Sequence, residues 1–287
     1  MSILSTAGKP EKRPPIITIC GDAGTGKTSL AATFPNPIVI RAEDGLQSIP
    51  DAMMPDTFPL LTDAADLWKQ LLALLHEEHD YRTLIIDSVS MLEALFVKSV
   101  MDSDGRAKSI NQALGGYGAG INAVATMHAR VRKACGLLNE KRDMAIIFVS
   151  HADLENVRPP DQDDFTRYSL RLMNKSLPPY VDDVDMVAFV RLVSRLRGED
   201  GDRKKVISNG DREVICFSTA SSVSKNRYGI TEPLDFVQGE NPFAEVFGLT
   251  IPKPKAKPKD KAKPAVEPEL EPNAADVDAA DYVEEEN

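Results

Sequence analysis

The stretch that decides the fold is Gly21-Asp22-Ala23-Gly24-Thr25-Gly26-Lys27-Thr28, followed by Ser29. It fits G-x-x-x-x-G-K-[ST], the pattern of a phosphate-binding loop between a strand and a helix. The apolar run 15–20 (PIITIC) predicts that strand, and 28–34 (TSLAATF) predicts that helix. In such a loop backbone N–H groups surround the phosphates, the lysine reaches the β- and γ-phosphates, and the threonine hydroxyl holds Mg²⁺. Residues 21–29 therefore predict a site for ATP and Mg²⁺.

Apolar and amphipathic segments alternate from residue 15 to about residue 247, which predicts an α/β fold with a mostly parallel sheet flanked by helices. Further strands are predicted at 37–41, 83–87, 144–150, 167–172 and 186–193. Helices are predicted at 63–76, at 90–101 and from about residue 121. The last of these carries a stripe of residues spaced by three and four: Ile121, Val124, His128, Val131, Cys135 and Leu138.

Two segments in the second half of the chain have the composition of connections between strands. The polar stretch 152–166 predicts a long loop. Segments 205–208 and 213–218 predict a β-hairpin that turns at Asn209-Gly210, because this dipeptide tolerates positive φ at both central positions. The expected fold is therefore an α/β P-loop core with a C-terminal β-hairpin region.

Composition divides the 287 residues into three parts. We expect residues 1–14 to form a flexible N-terminus and residues 15–250 to form a single ATPase domain. Residues 251–287 are rich in lysine and proline and then acidic, with too little apolar surface to fold, so we expect a disordered tail. The net charge is −10, so any polyanion would have to bind at a local basic patch.

The sequence also favours a cytoplasmic location. No run approaches the roughly 18 apolar residues of a membrane helix, and the N-terminus lacks the apolar core of a signal peptide. Cys20, Cys135 and Cys216 are widely spaced, which predicts reduced thiols. The cysteines and the four histidines show no metal-ligand spacing, so structural zinc is not expected.

Two acidic positions follow predicted strands. Asp87 ends the apolar run 83–87, where a carboxylate can hold Mg²⁺ beside the phosphate-binding loop; a helix-capping aspartate would have the same local pattern. Glu43 follows the strand 37–41, where a carboxylate can orient the water that attacks the γ-phosphate. Asp44 is the alternative for that role.

Three further residues are candidates for catalysis. His151 follows the strand 144–150 and can donate a hydrogen bond to a γ-phosphate, as a sensor of the nucleotide. Lys225 and Arg227 lie in a short polar turn, which is either a solvated turn or a source of cations for a neighbouring subunit's site. His128 lies on the apolar helix stripe, which favours packing.

Together these residues resemble the RecA/RadA-like branch of the P-loop ATPases. The phosphate-binding loop, 42–46 (AEDGL) and 85–92 (IIDSVSML) carry the resemblance, which implies that Glu43 is the catalytic carboxylate and Asp87 the metal ligand. Segment 225–229 (KNRYG) is similar to the K-N-R-F-G motif of bacterial RadA, whose lysine acts at a neighbour's nucleotide. That similarity implies that Lys225, with Arg227 second, acts in trans.

More narrowly, the chain resembles compact phage-encoded RecA-like ATPases described as AAA-type nucleotide-binding or recombination proteins. Over about residues 15–236 it shares their single-domain length, a Gly-Tyr-Gly segment before a long helix, and a strand ending in Ser150-His151. The resemblance implies single-stranded DNA binding and annealing, and a single-strand-binding or annealing partner protein. It also implies a homo-oligomer, a ring or short filament with nucleotide at subunit interfaces. The location would be the host cytoplasm.

Three functions compete on the sequence: an ATPase acting on single-stranded DNA, a nucleotide-switched module that binds a protein partner without DNA, and a small-molecule kinase. Glu43 favours hydrolysis over the kinase. The basic candidates for DNA contact are Arg158, Arg167, Arg171, Arg203, Lys204, Lys205 and Arg212. The aromatic candidates for base stacking are Tyr117, Phe165 and Tyr168.

Overall fold

The computed structural model describes residues 3–9, 12–197 and 205–249 of the chain. The predicted tail at 251–287, together with Arg203 and Lys204, lies outside the described residues. Within them the strands are β1 (Ile16–Gly21), β2 (Pro37–Arg41), β3 (Asp56–Thr57), β4 (Thr83–Asp87), β5 (Ala145–Val157), β6 (Phe165–Leu170), β7 (Met186–Arg197), β8 (Lys205–Ile215), β9 (Lys225–Asn226) and β10 (Leu234–Phe236). The α-helices are α1 (Lys27–Ala31), α2 (Ala64–His76), α3 (Val89–Ser103), α4 (Ala119–Arg142), α5 (Pro178–Val181) and α6 (Ala244–Phe247).

The strands form one sheet in the order β10-β8-β7-β1-β5-β4-β2-β3, with β6 paired to β5 and β9 paired to β7. The centre is parallel, because β1 pairs with both β5 and β7 in parallel, and β4 pairs in parallel with β5 and β2. The pairs that involve β6, β8, β9 and β10 are antiparallel. The predicted class, an α/β fold with a mostly parallel sheet, is confirmed.

Alternate residues of the central strands enter two cores, one on each face of the sheet. On one face, β1 and its neighbours pack against the apolar sides of α2, α3 and α4. On the other face they pack against α1 and the aromatic residues Phe34, Phe236 and Phe243. Burial on both faces explains why these strands are continuous apolar runs instead of alternating ones. Because β1, β2, β4 and β5 pair in parallel, β1, β2 and β4 end at the same edge of the sheet, and β5 crosses that edge near His151.

The predicted boundaries are accurate where an apolar pattern or a cap marks them. The strands at 37–41 and 83–87 have the predicted bounds. Asp63 caps α2, and Ser88 caps α3 by accepting a hydrogen bond from the backbone N–H of Met91. His128 lies fully buried on the α4 stripe, as predicted, and its Nδ1 is 2.8 Å from the Tyr180 hydroxyl. The three cysteines are buried and free.

The predicted loop at 152–166 is wrong. Strand β5 continues past the edge of the sheet to Val157 and forms an antiparallel hairpin with β6, so only 158–164 remains as a loop. Only the base of this hairpin, at Ala152, Ser169 and Leu170, is buried, and every residue from 153 to 168 is exposed or half-buried. These residues therefore lack the apolar alternation from which a strand is predicted. The exposed Leu154 lies in this β5–β6 hairpin.

The C-terminal antiparallel region exists, but the turn predicted within it is wrong. Asn209-Gly210 lies inside the continuous strand β8, which pairs with β7 instead of folding on itself. Pairing shifts between Leu192↔Arg212 and Ser194↔Ser208, so one residue of β7 faces three of β8. Gly210 has φ of 87° at this point. The dipeptide therefore supplies the backbone of a β-bulge, which needs the same positive φ as a turn.

No helix in the described ranges 3–9, 12–197 and 205–249 has both the length and the apolar content needed to cross a membrane.

Candidate functional site

The phosphate-binding loop joins β1 to α1 and lies at the carboxyl edge of the sheet, where parallel α/β folds place their ligands. Two glycines are required by its geometry. A Cβ atom at Gly21 would lie 2.4 Å from the carbonyl oxygen of Val190, so β1 and β7 can approach only with glycine there. Gly26 caps α1 with φ of 93°, in the left-handed region that glycine adopts without strain. The loop therefore keeps its backbone close to the cleft.

Lys27 folds back onto its own loop. Its Nζ donates a hydrogen bond to the carbonyl oxygen of Asp22 at 2.8 Å, and the residue is 6% exposed. Burial lowers the pKa of Lys27, and the carboxylates of Asp87 and Glu43 oppose that shift. A phosphate would give this buried cation a charged acceptor in place of a neutral carbonyl, which strengthens the hydrogen bond.

Thr28 and Asp87 meet at the end of β4. The Thr28 hydroxyl donates to Oδ2 of Asp87 at 2.6 Å, and Asp87 is 4% exposed. Burial raises the pKa of Asp87, while the hydrogen bond from Thr28 and the charge of Lys27 lower it. The two side chains present adjacent hard oxygen donors, which fits Mg²⁺.

No group of three or more His, Cys, Asp or Glu side chains in the described residues could hold an ion by itself. Proteins usually bind Mg²⁺ through one or two side chains, water and substrate phosphates. Thr28 and Asp87 would hold it.

Glu43 and His151 form a pair across the cleft. Nε2 of His151 lies 3.0 Å and 3.2 Å from the two carboxylate oxygens of Glu43. This hydrogen bond is the main cause that lowers the pKa of Glu43, against an opposing contribution from burial. Asp44, the alternative base, is 56% exposed and pairs with Arg41 at 3.4 Å. Of the two carboxylates, Glu43 is the one that lines the cleft.

Three serines that were not predicted as site residues support this pair. The backbone N–H of His151 donates to Oγ of Ser90 at 3.1 Å, and Ser90 Oγ lies 3.1 Å from Ser150 Oγ. Ser88 caps the helix that carries Ser90. Only their positions in the sequence could have indicated these serines. Ser88 directly follows Asp87, Ser150 directly precedes His151, and Ser90 lies three residues after Asp87.

Lys27, Thr28, Asp87, Glu43 and His151 line one cleft of about 370 Å³, together with three residues that were not predicted to face it, Gly45, Arg212 and Gln238. Arg212, predicted as a DNA contact, extends into the cleft from β8, and Gln238 follows β10. The cleft thus collects side chains from the phosphate-binding loop, from the ends of β2, β4 and β5, and from the antiparallel side of the sheet. Two cations and two carboxylates face each other in it.

Lys225 and Arg227 are not in the cleft. Lys225 pairs with Val187 near the start of β7, whereas Val190 is the residue opposite Gly21, so the turn lies toward the other end of the strands. Nζ of Lys225 donates to the carbonyl oxygen of Asp182 at 2.8 Å, and Arg227 pairs with Asp185 at 3.2 Å. Neither cation can reach the phosphates of its own subunit from there.

The basic residues predicted around 152–166 have partners in their own hairpin. Arg167 pairs with Glu155 at 3.0 Å, Arg158 with Asp164 at 3.4 Å, and Arg171 donates to the carbonyl oxygen of Ala152. The Tyr168 ring stacks on Phe189, with centroids 4.9 Å apart. These side chains therefore do not form an open cationic surface with a free aromatic ring.

A comparison with curated proteins gave no match. A family model described as an AAA domain matches residues 13–228, which is most of the chain and includes the phosphate-binding loop, both carboxylates and His151. The chain therefore belongs to the AAA domain family and has the nucleotide-binding core of a P-loop ATPase.

Proposed function

We propose that the protein is a Mg²⁺-dependent ATPase of the RecA/RadA-like type found in phages, which acts on single-stranded DNA in recombination, repair or replication. One observation carries the ATPase part: Lys27, Thr28, Asp87, Glu43 and His151, from four separate segments, converge on a single cleft. Each residue type matches one requirement of phosphoryl transfer to water. ATP hydrolysis by wild type and by Lys27→Ala, with Mg²⁺ and with EDTA, tests this part.

The geometry gives each residue a step in hydrolysis. Lys27, which donates to the Asp22 carbonyl, would donate to a phosphate oxygen instead, and the adjacent oxygens of Thr28 and Asp87 would hold Mg²⁺. Mg²⁺, when bound, neutralises charge on the β- and γ-phosphates. Glu43 is ionised at neutral pH and faces the cleft, so it can orient a water molecule and accept its proton.

His151 connects nucleotide binding to that base. Nε2 has at most one hydrogen, and in this structure it is directed at Glu43. A γ-phosphate would compete for the same hydrogen. Donation to the phosphate would free the Glu43 carboxylate to bind water, so the base becomes available only when ATP is present.

The segment 104–118 between α3 and α4 supports the DNA part. It exposes the cations Arg106 and Lys108, and Tyr117 is fully exposed. The backbone has positive φ at five consecutive positions, 114–118. This conformation directs the Tyr117 ring into solvent at the start of α4. A free aromatic ring in a segment that also exposes cations is the composition with which proteins bind single strands by stacking and phosphate contact.

The test is oligonucleotide binding measured by fluorescence anisotropy, with a labelled oligo(dT), over a salt series, with ATP, ADP or no nucleotide. Wild type is expected to bind, and binding should weaken as salt rises. Tyr117→Ala should weaken binding roughly 5- to 150-fold, whereas Tyr117→Phe should keep it, because stacking on one base contributes roughly 1–3 kcal/mol. Equal affinities of the Ala and Phe variants would contradict a stacking role, and no binding by wild type would contradict the DNA function.

A second candidate is a nucleotide-switched module that binds a protein partner, and the β5–β6 hairpin favours it. This hairpin continues directly from His151, so it is positioned to report the state of the nucleotide. Leu154 is 63% exposed on it, and its loop at 158–164 holds three aspartates and one arginine. An apolar residue beside acidic charge suits a protein surface better than DNA. ATP-dependent binding to a protein without any oligonucleotide binding would select this function.

A further inference from the structure

Arg212 has an unusual environment in the cleft. Its Nε is buried, and it has no hydrogen-bond partner among residues 3–9, 12–197 and 205–249. Its neighbour in the ladder is Phe236, whose ring packs against the phosphate-binding loop. A Cβ atom at Gly26 would lie 3.0 Å from that ring and 3.7 Å from Nε of Arg212. The Nε–H donor of Arg212 is thus held beside the loop backbone with no acceptor in the part of the chain that the structure describes.

A buried donor without an acceptor is costly, and native structures rarely keep one without a function. The charge and shape of guanidinium match a phosphate, to which it can donate two parallel hydrogen bonds. The described part of the cleft offers Arg212 no such acceptor, whereas a nucleotide in the phosphate-binding loop would. A role for Arg212 in binding phosphate therefore rests on the proposed function of the cleft as a nucleotide site.

The order of the sheet indicates which phosphate Arg212 would meet. Strands β5, β4 and β2, which carry His151, Asp87 and Glu43, lie on one side of β1, whereas β7, β8 and β10 lie on the other. The γ-phosphate must face Glu43, because that residue orients the attacking water. Arg212 is on the opposite flank, beside Gly26, and loop N–H groups at this position hold the α- and β-phosphates.

We infer that Arg212 binds the α- or β-phosphate of the nucleotide from within the same subunit, so that it recognises nucleoside diphosphates and triphosphates alike. It is a binding residue and not an arginine finger. A finger would act on charge that develops at the γ-phosphate and would affect turnover more than affinity. Arg212 contributes to ADP and ATP binding equally, and its loss raises KM more than it lowers kcat.

The test measures affinity for fluorescent ADP and for fluorescent ATP, each with Mg²⁺, together with ATPase kinetics. Arg212→Ala should weaken both affinities by a similar factor of roughly ten to a hundred, the range for hydrogen bonds to charged groups. Arg212→Lys, which keeps the charge but loses the planar fork, should fall between Ala and wild type. Arg191→Ala is the matched control: Arg191 is an arginine of the adjacent strand that pairs with Glu213 at 2.6 Å outside the cleft, and its loss should leave both affinities unchanged.

Stability without nucleotide separates binding from a structural role. Since Nε of Arg212 has no acceptor in the described protein, Arg212→Ala should melt at the wild-type temperature when no nucleotide is present, and only the stabilisation by ADP should shrink. An unchanged affinity of Arg212→Ala for ADP overturns the inference, and so does a loss restricted to ATP. If wild type binds nucleotide and Lys27→Ala does not, the proposed function stands. An unchanged ADP affinity of Arg212→Ala, or a loss restricted to ATP, then overturns only the role of Arg212. If wild type binds none, both the inference and the proposed function fail.

Discussion

Replacing Glu43 by glutamine tests the hydrolytic role of the Glu43–His151 pair. Glutamine has the same shape and keeps an oxygen acceptor for His151, so the pair at 3.0 Å can persist while the base is lost. A positioned general base contributes a factor of roughly 10² to 10⁴ to the rate. We therefore expect kcat to fall by about that factor, equivalent to roughly 3–5 kcal/mol of activation free energy. ATP affinity should stay equal or rise, because a negative charge near the γ-phosphate is removed.

The measurement is steady-state phosphate release with Mg²⁺ and ATP, paired with equilibrium binding of a fluorescent ATP analogue. The pKa of Glu43 is lowered, so in wild type this base stays ionised as the pH falls to the ordinary pKa of a glutamate. Protonation of Glu43 should therefore not lower kcat above that pH. Asp44→Asn is the matched control. Asp44 is largely exposed and bonded to Arg41, so this variant should turn over like wild type. Near-wild-type turnover of Glu43→Gln, or a larger loss in Asp44→Asn, would refute the assignment.

Two other predictions concern assembly and pH. Lys225→Ala should lose ATPase activity alone and regain part of it when mixed with Lys27→Ala, which can still donate its Lys225 to a neighbour; co-assembly without any recovery would contradict action in trans. Burial lowers the pKa of His128 from 6.5 to about 3, so only the unfolded chain binds its proton as the pH falls below 6.5. The stability that depends on neutral His128 is therefore present above pH 6.5 and is lost below it. The free energy of unfolding should fall by about 2 kcal/mol between pH 6.5 and 5. Urea unfolding should show this loss in wild type and not in His128→Gln, while His76→Gln, at an exposed histidine, should keep it.

The parts of the fold that could be predicted from sequence are those set by local pattern. The phosphate-binding loop has a fixed motif, and the central strands are apolar because both of their faces are buried. The parallel arrangement then puts the ends of β2, β4 and β5 at one edge, so Glu43, Asp87 and His151 could be selected from their positions at the ends of predicted strands.

The parts that could not be predicted depend on pairing between distant segments. Arg212 faces the cleft only because β8 pairs with β7 and β7 pairs with β1, and no local pattern specifies those neighbours. The β5–β6 hairpin is buried only at its base, at Ala152, Ser169 and Leu170, so most of its sequence has the polar composition of a loop. Gly210 shows a further limit: positive φ is required both in a turn and in a bulge, and the dipeptide alone does not distinguish them.

We propose that the cleft binds and hydrolyses ATP with Mg²⁺. The most direct measurement is ATP hydrolysis by the full chain with Mg²⁺, with excess EDTA, and by Lys27→Ala, with nucleotide binding measured on the same samples. We predict hydrolysis by wild type that stops in EDTA, and loss of both binding and hydrolysis in Lys27→Ala. Hydrolysis by Lys27→Ala at the wild-type rate, or a wild-type protein that binds no nucleotide, would contradict the claim.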